Sequence, residues 1–474
     1  MINAVGVGYY YVNQLKLSEN TVYARFYYAN RSYIGQATLD DANWTDRRIG
    51  LDDWVDGSAG EPTYFDWILV RKYADPEPTT IVYNCNCYDC SSCTEKLNNL
   101  LCTEVYLTAD IVDHTTTCIN NPVNFSNKVF DCQGHVIDGA GGTYNCINLN
   151  SKTNVTIKNC VIKEFNRGIY LYHTPNSKIL NNVFINNTNI GLFLWKSGGS
   201  ESNISNNTFY DNFYNFYIST STCGSFPCEE CNYNFDNTNN IGDDLPIKFF
   251  GNIADLNLEN EILNSLYLCN VHNSSIKNIT LTTNSVKYRN GVFGGDFIKN
   301  VTFDALNLIK SNIFSISNSP NNTIKNFVVN DSNYGLYFYY SSNNNVIVNN
   351  QVNALIGYGI DLYQSSNATI INNTLQAKNG IYLYQSSYNN ITNNNLTTNT
   401  NGIFITTSSL YNYIANNTIT GGNYGINLQS NSNNNTIENN LLKGINYAVY
   451  LTGVANNTFS NNNINFNSYG IGNY

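Results

Sequence analysis

Charge is what this sequence has least of. Asp, Glu, Lys and Arg make up 12% of its 474 residues, about half the usual share. Such a deficit belongs to membrane proteins or to repeats. No run of about 18 apolar residues occurs, which excludes a helical membrane span. Lys and Arg number 24 against 34 Asp and Glu, giving a net charge of −10 and a pI near 4.9. Nothing in that balance neutralises a phosphate backbone, so nucleic acid is excluded as a partner, as are anionic membranes. Four His and one Met are too few and too scattered for the clusters that copper transfer wants. Covalent haem is excluded because neither Cys90-Ser91-Ser92-Cys93 nor Cys228-Glu229-Glu230-Cys231 is followed by His. Cysteine is absent beyond Cys269.

Before that point there are 13 cysteines, a density that indicates an oxidising compartment. Asn-x-Ser/Thr sequons at Asn154, Asn186, Asn203, Asn278, Asn367 and Asn416 are either glycan acceptors or by-products of Asn-rich turns. With the cysteines they favour an extracellular or cell-surface protein. Met1-Ile2-Asn3-Ala4-Val5 has no basic region and no cleavage site, which for a secreted protein predicts a mature fragment or a partial gene.

Three regions follow. Residues 1–84 are aromatic and alternate like strands, as in Thr21-Val22-Tyr23-Ala24-Arg25-Phe26-Tyr27-Tyr28. The acidic stretch Asp40-Asp41, Asp46, Asp52-Asp53 and Asp56 reads as a Ca²⁺ site or as a solvated loop paired to Arg47 or Arg48. Residues 85–101 hold Cys85, Cys87, Cys90 and Cys93, a spacing compatible with disulfides or with a metal or iron–sulfur site. A short helix over Ser92–Leu101, with Ser92-x-x-Glu95 as capping box, is predicted to cover the end of what comes next. Residues 102–474 repeat. Gly-Ile-x-Leu phrases stand at Gly168, Gly191, Gly335, Gly359, Gly380, Gly402 and Gly425, each accompanied by an Ile-x-Asn-Asn phrase. The period of about 22 residues signals a solenoid.

Apolar residues at i and i+2 within each phrase make strands, not helices. Each coil therefore holds two or three short strands stacked at about 4.8 Å, and roughly 15 coils make a rod of about 70 Å. The second Asn of each pair (Asn350, Asn373, Asn394, Asn417, Asn440, Asn462) is predicted to form an inward amide ladder, the alternative being exposed turn Asn. Cys132 and Cys160 fall in that column, as a disulfide or as two buried thiols. Tyr170, Tyr172, Tyr337, Tyr339, Tyr363, Tyr382 and Tyr384 are placed outward, as a contact stripe for sugars or proteins or as plain strand formers. Residues 220–334 break the rhythm, with Cys223, Cys228 and Cys231 in an insertion near 220–250. From Asp331 onward the charged residues are Asp331, Asp361, Lys378, Glu438 and Lys443, and none repeats at coil spacing to form a catalytic pair. Asp131, Asp138, Lys163 and Glu164 lie close in the pattern. No catalytic residue is assigned.

Two resemblances add to this reading. Tyr64-Phe65-Asp66-Trp67-Ile68-Leu69-Val70-Arg71-Lys72-Tyr73, then Pro76-Glu77-Pro78, resembles the last strand and exit of concanavalin-like jelly-roll modules. Leu107-Thr108-Ala109-Asp110-Ile111, Cys118-Ile119 and Phe130-Asp131-Cys132-Gln133-Gly134-His135-Val136-Ile137-Asp138-Gly139 resemble the first coils of archaeal surface proteins with parallel β-helix repeats. Those share the pectate-lyase-like fold and the repeat of periplasmic copper-site maturation proteins. The resemblance implies an all-β chain: a right-handed parallel β-helix behind a partial jelly roll, with Cys102 and Cys118 bridging the first coil. It also implies Asp131 and Asp138 as structural residues. The function expected is structural: a subunit of a surface filament, sheath or adhesin stalk, polymerising head to tail and touching surface glycans. The alternative is a β-helix that binds or cleaves carbohydrate. Beyond the Ca²⁺ option no cofactor is expected.

Overall fold

A computed structural model of the chain describes residues 10–17, 21–28, 33–40, 84–220, 223 and 227–473. The chain divides into two compact units, Met1–Tyr83 and Asn84–Tyr474. In the first, β1 (Tyr10–Leu17), β2 (Thr21–Tyr28) and β3 (Tyr33–Asp40) form an antiparallel meander. The strand expected at Thr21 is β2. The Tyr64–Tyr73 strand, the Pro76–Pro78 exit and the acidic residues Asp41 to Asp56 lie outside the described residues.

The second unit is a right-handed parallel β-helix of about 17 turns, slightly more than the sequence period suggests. Strands pair in register from coil to coil: Ile324, Ile347, Ile370, Ile391, Ile414 and Ile437 form one continuous inward column. All six are fully buried, each contributing roughly 1.5–3 kcal/mol by leaving water. Aromatic pairs fill wider coils, with Phe184 on Phe209 and Phe293 on Phe314 stacked at 4.8 and 4.4 Å.

The Asn-Asn pair divides its labour. The first Asn takes the left-handed conformation that turns the chain, with φ of 58° at Asn349, 56° at Asn372 and 57° at Asn393; Asn tolerates this better than other side chains. The second points inward. Nδ2 of Asn350, Asn373, Asn394, Asn417 and Asn440 donates to Oδ1 of the next ladder member at 2.9–3.0 Å. Asn462, half-buried, ends the column. Glycine opens each Gly-Ile-x-Leu phrase because neighbouring backbones touch there: a Cβ on Gly168 would lie 2.5 Å from the Gly191 carbonyl oxygen.

The amino-terminal end is closed by α1 (Cys90–Asn98), which buries Cys90, Cys93 and Leu97 on the first coil. Its N-cap is Asp89, not Ser92. Asp89 accepts from the Ser92 amide at 2.7 Å, and Ser92 Oγ accepts from the Asp89 amide at 3.1 Å. Three disulfides lock this cap: Cys85–Cys102, Cys87–Cys93 and Cys90–Cys118. The expected Cys102–Cys118 bridge is therefore incorrect; each of the two reaches back to the cysteine-rich junction instead. Cys132–Cys160 spans adjacent coils with 4.7 Å between Cα atoms. Cys223–Cys228 and Cys231–Cys269 hold the insertion, and Cys146 stays a buried thiol.

The break in rhythm is narrower than the sequence suggests. Coils resume at Leu245–Ala254, but Ile247 pairs with Ser265 and Leu258 with Ile276, 18 residues apart, whereas Ser265 pairs with Val292, 27 residues on. The coil persists while its period changes. A sheet ending in Tyr214–Ser219 stops here, and a new one begins at Leu245. Asp243 seals the joint: its Oδ2 accepts from Nδ2 of Asn215 and Asn290, both at 2.7 Å, and from Thr283 Oγ1 at 3.2 Å.

Candidate functional site: a gap in an aromatic face

The Gly-Ile-x-Leu strands present one outward face with two side-chain columns. The first carries Tyr170, Phe193 and Tyr217 before the joint. After it come Phe249, Tyr267, Gly294, Ser315, Tyr337, Asp361, Tyr382 and Phe404. The second carries Tyr172, Trp195 and Ser219, then Gly251, Cys269, Asp296, Ser317, Tyr339, Tyr363 and Tyr384.

Along most of this face the rings cover one another. Tyr363 stacks on Tyr384 and Tyr358 on Tyr382, each pair 4.5 Å apart and nearly parallel. Ring faces are thus spent inside the ladder, and edges and hydroxyls meet solvent. Tyr170, Tyr172, Tyr339, Tyr363, Tyr382 and Tyr384 are partly buried. Tyr337 departs from the expected exposed stripe: it is buried, and its hydroxyl accepts from the Tyr358 amide at 3.1 Å. Arg167 lies over Tyr170 and Phe193 at 5.1 and 5.4 Å from their centroids.

Between rings on both sides, the ladder is interrupted over two successive coils: Gly294 and Asp296, then Ser315 and Ser317, carry no ring of their own, and the buried Tyr267 ring lies against Gly294. There a cleft of about 640 Å³ opens, with Tyr214 and Tyr217 on one wall and Tyr339 and Tyr340 on the other. Among the described residues lining it, Asp296 is the one that is charged. Its Oδ2 accepts from the Thr220 amide at 3.3 Å and from Thr220 Oγ1 at 3.2 Å. Burial pushes its pKa up to about 6, against the lowering effect of the Thr220 and Ser317 hydrogen bonds, so it is largely a carboxylate at neutral pH. Burial also raises the Tyr214 and Tyr339 phenols and pushes Tyr217 up to about 12; all three stay protonated donors.

A second carboxyl, Asp361, is 5% exposed within the tyrosines, and its Oδ1 has no hydrogen-bond partner. Burial pushes it up to about 7. Asp296 and Asp361 stand three coil steps apart, about 14 Å by strand spacing, beyond the roughly 5–9.5 Å of a glycosidase pair. The other acidic group noted in the sequence is neutralised between adjacent coils, Lys163 by Asp138 at 2.8 Å and Lys158 by Asp131 at 3.2 Å. A shallower groove of about 690 Å³ near Asp255, Lys277, Asp304 and Lys325 is open, and Lys325 pairs with Asp304 at 3.3 Å. Among the sequons, Asn278, Asn367 and Asn416 are exposed, whereas Asn154, Asn186 and Asn203 are partly buried.

Sequence reasoning missed the cleft. Its signal is present: in Val292-Phe293-Gly294-Gly295-Asp296 the repeat phrase keeps its strand but loses its outward ring. A second inward ladder, Asn389 to Asn412 to Asn435 to Asn457, was also missed; its amides bond at 2.9–3.1 Å.

Closed coils, inward amide ladders and a disulfide-locked cap define an extracytoplasmic parallel β-helix. The sequence matches the family described as Periplasmic copper-binding protein (NosD) over residues 111–244 and 250–423, and the chain belongs to that family. It is a β-helix protein of the periplasmic or surface kind, and among the described residues no helix is long and apolar enough to cross a membrane. A comparison with curated proteins gives no match. Among solved structures, the mannuronan C-5 epimerase AlgE6 A-module of Azotobacter vinelandii is similar at 11% identity, covering 79% of this chain and 95% of that one, TM-score 0.29. The periplasmic alginate epimerase AlgG is similar at 10% identity, covering 73% and 77%, TM-score 0.31. The Streptococcus pneumoniae surface adhesin PfbA is similar at 11% identity, covering 81% and 95%, TM-score 0.20.

The family's description names copper, and the described residues do not fit it. His135 is engaged with Asp110 at 2.9 Å, His114 lies 3.1 Å from Thr116, and His173 stacks on Tyr172. The sulfurs of Cys223, Cys231 and Cys269 lie within 4.8 Å of one another, but each is in a disulfide. Soft metals bind thiolates, which an oxidised cluster lacks.

Proposed function

We propose that this protein is a non-catalytic, glycan-binding β-helix of the cell exterior or periplasm, gripping a carbohydrate in the gap of its aromatic face. The observation that carries the reading is the interruption itself. Sugars pack on aromatic rings and hydrogen-bond through their hydroxyls, and the cleft is lined by tyrosines and by polar side chains. Tyr217 and Tyr339 flank it, and Ser219, Ser315, Ser317 and Asn318 line it. The wide separation of Asp296 and Asp361, and the lack of Lys or Arg among the lining residues, favour binding over hydrolysis or elimination.

Affinity electrophoresis through gels containing neutral, anionic or amino polysaccharides tests this. Retardation by at least one, lost in Tyr339→Ala and retained in Tyr388→Ala on the separate Tyr388–Tyr411 stack, is expected. Equal migration in every gel refutes the reading.

A surface filament or adhesin stalk is the second reading. It is favoured by the solenoid itself, whose about 17 coils stacked in register make the rigid, extended element that a stalk or filament uses. Electron microscopy of protein from its source distinguishes filaments from single rods.

A further inference from the structure

The glycan reading leaves the class of sugar open, and the charge of the cleft narrows it. We propose that the cleft between Tyr217 and Tyr339 receives an amino sugar, its ammonium group seated on Asp296 between the tyrosine faces. The proposal rests on the glycan reading above.

Three observations converge. First, among the described residues Asp296 is the only charged one lining the cleft, and Thr220, across the joint, aims its carboxylate with two hydrogen bonds. A carboxylate with no cation of its own in the cleft is complementary to a cationic ligand. Second, Tyr214, Tyr217, Tyr339 and Tyr340 line the same cleft as that carboxylate, and ring faces attract ammonium groups, more strongly where water is displaced. Third, the surroundings repel anions. Glu230 adds its field to that of Asp296, and the whole chain carries −10. A polyuronate would bring carboxylates against Asp296 with nothing to neutralise them. The cleft's volume of about 640 Å³ is within the roughly 300–1,000 Å³ typical of small-ligand sites, and its serines can meet ring hydroxyls. Ser315 matters because a larger side chain there would enter the gap, whereas the space over Gly294 is already held by the Tyr267 ring, 2.7 Å from where a Cβ would lie.

The test uses the full chain and isothermal titration at pH 6.5 with three probes: a β-1,4-linked glucosamine hexamer, its fully N-acetylated counterpart and a polymannuronate oligomer. Binding of the glucosamine hexamer at least tenfold tighter than the acetylated one, with no polymannuronate binding, is expected. Asp296→Asn should erase that preference. Ser315→Tyr, which supplies the missing ring without touching the carboxylate, should abolish binding of both hexamers with an unchanged circular dichroism spectrum. Equal affinity for the two hexamers, unaltered by Asp296→Asn, overturns the amino-sugar assignment. Displacement by tetramethylammonium at the concentration at which glucosamine displaces overturns it too, in favour of a general ammonium site. If only a neutral polysaccharide binds, and Tyr339→Ala loses it, the amino sugar falls while the glycan reading stands. If no glycan binds, both fall.

Discussion

Asp361→Asn should make the protein more stable at alkaline pH and leave it unchanged at acid pH. Asp361 occupies an outward column position between Tyr337 and Tyr382, yet it is 5% exposed and one carboxyl oxygen has no partner. Burial raises its pKa from 3.8 to about 7. The unfolded chain releases this proton near 3.8 and the folded chain only near 7. Between those values the native state holds more protons, so stability falls as pH rises through the window and is lowest above about 7. The shift of about three units corresponds to a ceiling of about 4 kcal/mol; water reaching the site reduces it, and a penalty of about 2–4 kcal/mol at pH 8 is reasonable for a buried, unpaired carboxylate. Asparagine keeps the shape, does not ionise, and its amide can aim an N–H at a neighbouring ring or hydroxyl. Urea denaturation followed by circular dichroism at pH 4, 6 and 8 should show coincident midpoints at pH 4 and a growing advantage for the variant at pH 6 and 8. Coincident curves at every pH, or a variant weaker at pH 8, would refute the reasoning and mean that a cation or donor satisfies the carboxylate in the folded protein.

Other outcomes follow from the same structure. Asn394→Ala should cost about 3–5 kcal/mol, because it removes an amide bonded to Asn417 and Ile370, leaves the Asn373 backbone N–H without its acceptor and takes one of the two acceptors of Asn373 Nδ2; hydrogen exchange should show the loss centred on those coils. Cys132→Ser with Cys160→Ser removes a bridge closing a separation of 28 residues and should cost about 3 kcal/mol, read as a lowered urea midpoint. Non-reducing peptide mass spectrometry should recover Cys90–Cys118 and Cys85–Cys102; a Cys102–Cys118 peptide would contradict the cap. Gly402→Ala should destabilise more than Gly444→Ala, since the Gly402 Cβ would strike the Gly425 carbonyl, while Gly444 faces open space although its φ of 62° is itself unfavourable for alanine; thermal melts compare the two.

The solenoid was legible because its two signals are local and redundant. Each inward Ile repeats at fixed spacing, and a one-residue slip would turn every one outward. Each Asn-Asn pair combines a left-handed turn with a buried amide, so its sequence position hardly drifts. The disulfide partners of Cys102 and Cys118 were not legible, because pairing depends on where α1 lays Cys85 and Cys90 over the first coil, and spacing alone does not specify that. The Ser92 cap failed for a local reason: Asp89, three residues earlier, offers a stronger acceptor to the same helix start. The outward tyrosines were legible as positions, but the choice between a contact stripe and plain strand formers was not. Parallel coils about 4.8 Å apart bring rings into face-to-face contact, so identical residues in one column hide one another. Exposure therefore could not be read from which residues are aromatic, only from which coils lack an aromatic.

That inversion explains why the candidate site lies where the repeat is poorest. A regular coil satisfies itself: amides bond amides, rings cover rings, and Lys163 meets Asp138. Nothing is left over for a ligand. At the joint the coil period changes to 18 and then 27 residues, the family match itself pauses between 244 and 250, and one sheet gives way to another. The two outer faces can no longer continue each other ring for ring. Asp243 and its amide partners repair the polar core of the joint, but on the outer face Gly294 and Ser315 leave the gap unfilled. A larger side chain at Ser315 would enter it, whereas at Gly294 the Tyr267 ring already bounds it. A carboxylate held by Thr220 from the opposite segment then shares a cleft with Tyr217 and Tyr339, between which no ring continues the ladder. The cleft is thus a consequence of joining two solenoid segments, and its chemistry comes from the few residues that depart from the repeat.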